Sequence, residues 1–284
     1  MALKTTKIIQ GLHTIAENYE GFLIDVYGVI HDGSQLYPGA IGCLEKLSKS
    51  KKIVALISNS PNRSKELSMR LNSMGIPSGY FQYVFTAGES TFQHLLNREN
   101  PWYSKLGNNC YFIGPAQSRF FDELPLCKVG NVEEADFILV TGVDGWHQNL
   151  SDFRKILDAA LKNNIPMICA NPSISEVNLE AGSISQYYEE QGGLVRIHGK
   201  PNKSFFQDAL EKMECLSVLA IGDSLHYDMK GAAAVGLDTT FIACGAHKAR
   251  LCDPVKNIPE PNKLETYFTQ FEFTPDYTLT QLAW

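Results

Sequence analysis

Short, unbroken apolar runs, each ending in polar or small residues and followed by a helical pattern, recur along this chain and limit what it can fold into. They fall at residues 22–25, 53–58, 83–86, 218–223 and 239–243. That rhythm is the one of parallel βα units. Because the runs are continuous rather than alternating, both faces of the sheet must be covered, as in a doubly wound α/β fold. A second set lies between them, at residues 110–114, 137–141 and 167–171, with helical patterns at 150–162 and 89–96. The expectation is therefore an α/β core built from residues 1–84 and 191–284, with a smaller α/β domain inserted at 85–190. At 284 residues the chain has the length for two such domains. Residues 254–261 read as a surface loop.

Polar residues stand where these runs end. Asp25 closes Phe22-Leu23-Ile24 and opens Asp25-Val26-Tyr27-Gly28-Val29; Ser58 closes the next run; Lys200 lies in Gly199-Lys200-Pro201; Asp223 follows Gly222. Parallel strands release their carboxyl ends on one edge, where open α/β sheets bind ligands. A carboxylate nucleophile, a hydroxyl and an ammonium to hold an anion, and a second carboxylate to hold a hard cation describe a phosphoryl-transfer site. Mg²⁺ suits it, since it takes one or two protein carboxylates together with water and phosphate. Asp228, five residues after Asp223, is placed to reach the metal's water shell.

Composition removes other classes. The net charge is −6 with no basic block, which argues against nucleic acid and anionic membrane as partners. Seven cysteines without a CxxC spacing favour reduced thiols over a disulfide frame or a zinc site. The first twenty residues lack a signal-peptide pattern, and no run approaches the ~20 apolar residues of a membrane span. A cytoplasmic, soluble protein is expected.

As an ordered set, Asp25-x-x-Gly28-Val29, Ser58-Asn59-Ser60, Gly199-Lys200-Pro201 and Gly222-Asp223 with Asp228 resemble the motifs of the haloacid dehalogenase superfamily of phosphatases. The position of the insertion, and Ala170-Asn171-Pro172, are similar to the NagD-like, sugar-phosphatase-like members with an α/β cap. This resemblance implies a Rossmann-like core, a cap that closes over a small phosphorylated metabolite such as a sugar phosphate, and dimer contacts of the kind such caps make in similar proteins. It also implies that Asp25 attacks phosphorus to form an aspartyl-phosphate. Mg²⁺ would be held by Asp25, the Tyr27 backbone carbonyl and Asp223, with Asp228 nearby. Ser58, Lys200 and Asn59 would contact the phosphoryl group.

Tyr27 departs from the pattern. Phosphatases of this superfamily usually carry aspartate there, as acid to the leaving alcohol and base to water. Phenols ionise near ~10, and losing a placed acid or base costs about 10²- to 10⁴-fold. Acyl and aryl phosphates would suffer least, and His31 or Asp32 are the nearby substitutes to consider. Two other readings stay open: a phosphometabolite-binding protein that barely turns over, and a dehalogenase-type hydrolase, whose first motif also resembles Asp-x-Tyr-Gly. Plainer roles stand beside each functional one. Asp25 and Ser58 could cap helices, Lys200 and Asp228 could be solvated, and His147, His198 and His226 read as structural or surface groups. Asp144-Gly145-Trp146 reads equally as pocket lining or as a turn.

Overall fold

The structure, a computed structural model, describes residues 5–145, 148–175 and 178–284. Trp146 and His147 lie outside them. The chain divides into two compact units, residues 1–58, 67–85 and 200–284 forming the first and 59–66 with 86–199 the second.

In the first unit, seven strands lie in the order β1 (Lys7–Ile8), β12 (Tyr277–Leu279), β11 (Asp238–Ile242), β10 (Val218–Gly222), β2 (Gly21–Asp25), β3 (Ile53–Ser58) and β4 (Tyr83–Thr86). The pairings from β1 through to β3 are parallel. Successive side chains of a strand point to opposite faces, and here both faces are apolar. Phe22 and Ile24 of β2 join Val54, Leu56, Leu219 and Ile221 on one side, packed by Leu44 and Leu47 of the helix Ala40–Lys49. Leu23 joins Ala55, Ile57 and Ala220 on the other, against Phe205, Phe206 and Ala209 of the helix Lys203–Met213. Unbroken apolar runs are the direct consequence.

The second unit has its own sheet, in the order β6 (Cys127–Lys128), β5 (Asn109–Ile113), β7 (Phe137–Val140), β8 (Met167–Cys169) and β9 (Val195–Ile197), all parallel. Ile138 and Val140 face Phe153 and Leu157 of the helix Leu150–Lys162 and Tyr188 of Ala181–Glu190. Phe137 and Leu139 face Phe92 and Leu95 of Ala87–Asn97. Two α/β parallel-sheet units match the expected fold class. Their division departs from 84 and 191, because residue 85 stays with the first unit and residues 59–66 and 191–199 group with the second. β9 is the reason for the latter: its apolar Val195 and Ile197, separated by exposed Arg196, complete the second sheet.

The cysteines also differ from expectation. Cys244 and Cys252 form a disulfide with Cα atoms 6.2 Å apart, so these two are not reduced thiols. Nothing in their eight-residue spacing signals the pairing; the turn after β11 and the short helix Lys248–Leu251 bring them together. Cys43, Cys110 and Cys169 are buried free thiols. No described helix is long and apolar enough to cross a membrane.

Candidate active site

Strand register brings the polar residues of the first unit together. Asp25 pairs with Ile57 and Ile24 with Ile221, so Ser58 and Asp223 leave the sheet at the edge where Asp25 stands. Gly28 turns the chain there at φ +84°, and a side chain on it would run into the Asp223 carboxylate. Asp228 sits on the π-helical turn Leu225–Met229, a form of helix often found at functional sites. The Ser224 hydroxyl caps that turn by accepting from the Tyr227 N–H at 3.1 Å. The Ser224 N–H donates to Asp228 Oδ2 at 3.0 Å.

Lys200 joins the set. Its Nζ donates to Asp25 Oδ1 at 2.5 Å and to Asp228 Oδ1 at 2.6 Å, with all three side chains buried. One ligand atom from each of Asp25, Asp223 and Asp228 lies within 4.8 Å of the others. The Ala246 N–H, in the turn after β11, donates to Asp223 Oδ2 at 3.2 Å. This last contact had no sequence signal, because a backbone donor can belong to any residue.

Charge in this site is out of balance. Burial and the Asp228 charge push the Asp25 carboxyl up to about 7, against the opposing pull of Lys200. Burial and the charges of Asp25 and Asp228 raise Asp223 well above the carboxylate range. For Lys200, burial acts to lower the pKa, but Asp228 and Asp25 together outweigh it and the ammonium is held firmly protonated. Three buried carboxylates against one ammonium are what a hard divalent cation would correct, and an all-oxygen donor set is what it prefers. The residues therefore fit such an ion.

A testable consequence concerns stability. A carboxyl with a higher pKa folded than unfolded favours the folded state while protonated, and loses that advantage as pH rises through the folded value. For the metal-free protein the contribution of Asp25 is complete below about pH 4, the unfolded value, and is lost as pH climbs through about 7. A divalent cation favours the ionised forms, so thermal melts should show metal-induced stabilisation growing from pH 5 to pH 8. Equal stabilisation at every pH would contradict this charge balance.

Comparison with other proteins agrees with the motif set. The sequence profile described as haloacid dehalogenase-like hydrolase matches residues 22–123, and a second, HAD-hydrolase-like profile matches residues 197–282. The chain is a haloacid dehalogenase-like hydrolase. It is 24% identical over 242 residues to the 5'-nucleotidase YutF of Bacillus subtilis, covering 82% of this chain and 90% of that one. To the D-glycerol 3-phosphate phosphatase of Mycobacterium tuberculosis it is 23% identical over 251 residues, covering 84% and 67%. Among solved structures, a haloacid dehalogenase-like hydrolase from Brucella suis superposes with a TM-score of 0.80 at 26% identity, covering 97% of this chain and 100% of that one.

Within this hydrolase, the residues around the departure at Tyr27 are differently placed. The Tyr27 side chain is 57% exposed, with its ring edge-on to that of His31 at 6.2 Å between centroids. Asp32 is exposed, and its Oδ1 accepts from the N–H groups of Ser34 and Gln35, which hold the carboxyl below its ordinary range. It caps a turn and is a poor proton donor. His31 is buried and kept neutral first by that burial and then by the Arg70 charge. Its Nδ1 accepts from the Gly33 N–H at 2.9 Å, which leaves the proton on Nε2, an atom without a partner among the described residues.

Asn59 is buried and groups with the second unit, while Ser58 belongs to the first. His198 is also in the second unit, buried between the Ser90 hydroxyl at 2.9 Å and the Tyr103 hydroxyl at 2.5 Å. Burial and His94 depress its pKa to about 3, so it is a neutral structural group. His226 is exposed.

Proposed function

We propose that this hydrolase is a Mg²⁺-dependent phosphomonoesterase of small phosphorylated metabolites, with Asp25 as its nucleophile. The observation that carries the reading is the buried Lys200 ammonium bonded to both Asp25 and Asp228, with Asp223 in the same cluster. A carboxylate poised by a buried ammonium at the carboxyl edge of a parallel sheet is arranged for attack on an anionic centre. The names of the relatives, a nucleotidase and a glycerol phosphate phosphatase, support a phosphate ester as substrate. A sugar or polyol phosphate is the class to try first.

In this reading an Asp25 carboxylate oxygen forms a bond to phosphorus as the ester P–O bond breaks, leaving an acyl phosphate on Asp25 that water then hydrolyses. Lys200 orients Asp25 and, with Ser58 and Asn59, holds the phosphoryl oxygens. Asp25, Asp223 and the Tyr27 backbone carbonyl, with Asp228 at its water shell, would hold Mg²⁺, which when bound would supply the positive charge that lets an anionic nucleophile meet an anionic ester. The leaving alkoxide needs a proton, and the exposed Tyr27 phenol is poorly suited to give it.

The deciding experiment is phosphate release, with and without Mg²⁺, from p-nitrophenyl phosphate, acetyl phosphate and glycerol 3-phosphate. Native protein should favour the first two, whose leaving groups are stable anions. Tyr27→Asp should raise turnover of glycerol 3-phosphate by about 10²-fold, the lower end of what a placed acid contributes, and change p-nitrophenyl phosphate little. No metal-dependent release from any of the three would reject the phosphatase reading, and halide release without metal would replace it with displacement at carbon.

A further inference from the structure

The second unit holds a cavity lined by its own residues. In chain order its strands are β5, β6, β7, β8 and β9, and in space they lie second, first, third, fourth, fifth. A doubly wound sheet of that order reverses direction between its first and third strands. Ligands bind in the crevice outside the carboxyl ends of those two. Here they are β5 and β7. A cavity of about 390 Å³ opens at that place, lined by Pro115, two residues beyond the end of β5, and by Thr141, directly after β7. That volume is in the range of small-molecule sites.

Its polar lining is unfinished. Thr141 is only 3% exposed, and its Oγ1 has no hydrogen-bond partner among the described residues. A buried hydroxyl left unpaired is unfavourable, and a ligand atom bonded to it would remove that cost. A Cβ on Gly114 would collide with this same hydroxyl and with the Phe112 ring, so the bare backbone leaves the space beside Thr141 clear.

The charges define what could enter. Arg63 is already engaged: its guanidinium stacks on Phe92 and is bonded to Glu89 at 2.6 and 3.1 Å. Arg119, on the loop after β5, has no ion-pair partner among the described residues. Glu66 lines the wall with an acceptor-only carboxylate whose Oε2 already takes the Arg63 N–H at 3.0 Å, leaving Oε1 for a ligand, and Asn62 and Gln117 add amides. One cation without an ion-pair partner among the described residues, in a cavity whose lining also carries an acid, suits a monoanion rather than a phosphate dianion. The acid, the amides and Thr141 suit hydroxyl groups.

We infer that the second unit carries a binding site of its own, at the β5/β7 switch point, for a small polyhydroxylated monocarboxylic acid of the sugar-acid type. Arg119 takes the carboxylate, and Thr141 and Glu66 take hydroxyls. The site stands independently of the phosphatase reading.

Calorimetric titration of the full chain in EDTA with D-gluconate and with D-glycerate tests it. Saturable binding of one acid is expected, retained in Asp25→Asn and weakened about tenfold in both Arg119→Ala and the near-isosteric Thr141→Val. Arg119 is exposed, so that variant folds even if Thr141→Val does not. Turnover of p-nitrophenyl phosphate should be unchanged in Arg119→Ala. Absence of saturable binding by both acids, binding that Arg119→Ala leaves untouched, or binding lost in Asp25→Asn would each overturn the inference.

Discussion

Asp25→Asn should lower phosphate release by on the order of 10⁴-fold or more, the scale on which losing a nucleophile is felt, while the metal-free variant melts no lower than native protein at about pH 8. The two halves come from one cause. Burial and the Asp228 charge oppose ionisation of Asp25, and the pull of Lys200 only partly compensates. At pH above its raised pKa the ionised group therefore costs the native protein stability, a strain of the kind that functional sites store. Asparagine keeps the shape and removes the charge, leaving Lys200 its bond to Asp228 at 2.6 Å. Phosphate release and thermal melting in EDTA measure the two effects. A variant that loses activity and also melts well below native protein would mark Asp25 as a structural carboxylate, and one that keeps its activity would exclude Asp25 as nucleophile.

The elements that could be read from the sequence are those whose burial is expressed in side-chain pattern. β3 and the helix Leu150–Lys162 occupy the spans their patterns indicated. The run at 218–223 overshot by one residue because Asp223 leaves the sheet to join the carboxylate cluster. β1 and β12 escaped notice. Two and three residues long, they gain their pairing from opposite ends of the chain, a fact of tertiary structure. β9 escaped because Arg196 interrupts its apolar residues. The same division holds at the site. Asp25, Lys200, Asp223 and Asp228 were legible as an ordered motif set, since carboxylates and a lysine beside glycines at strand ends are unusual. The Ala246 N–H on Asp223 and the Cys244–Cys252 pairing were not, because each depends on how the turn after β11 folds back.

Lys200→Met is the other variant with a large effect, and its effect depends on conditions. Methionine matches the length of the lysine stem but leaves Asp25, Asp223 and Asp228 as three buried carboxylates with no ammonium among them. Breaking a buried ion pair by removing one partner costs about 3–5 kcal/mol. The loss should be greatest in EDTA at neutral and higher pH, where the carboxylates are driven to ionise. It should shrink as pH falls, since protonated carboxyls need no counter-charge. Mg²⁺ should restore part of it by taking over the neutralisation. Turnover should not recover with it: in the proposed mechanism the ammonium would also orient Asp25 and stabilise charge on the transferring phosphoryl group, a contribution worth about 10²- to 10³-fold for one well-placed donor. Melting curves in EDTA and in Mg²⁺ across pH, set beside turnover at saturating metal, separate the two roles. If Mg²⁺ rescued stability and activity together, Lys200 would be no more than a counter-ion. If the metal-free variant were as stable as native protein, the bonds from Nζ to Asp25 and Asp228 would not be holding the cluster together.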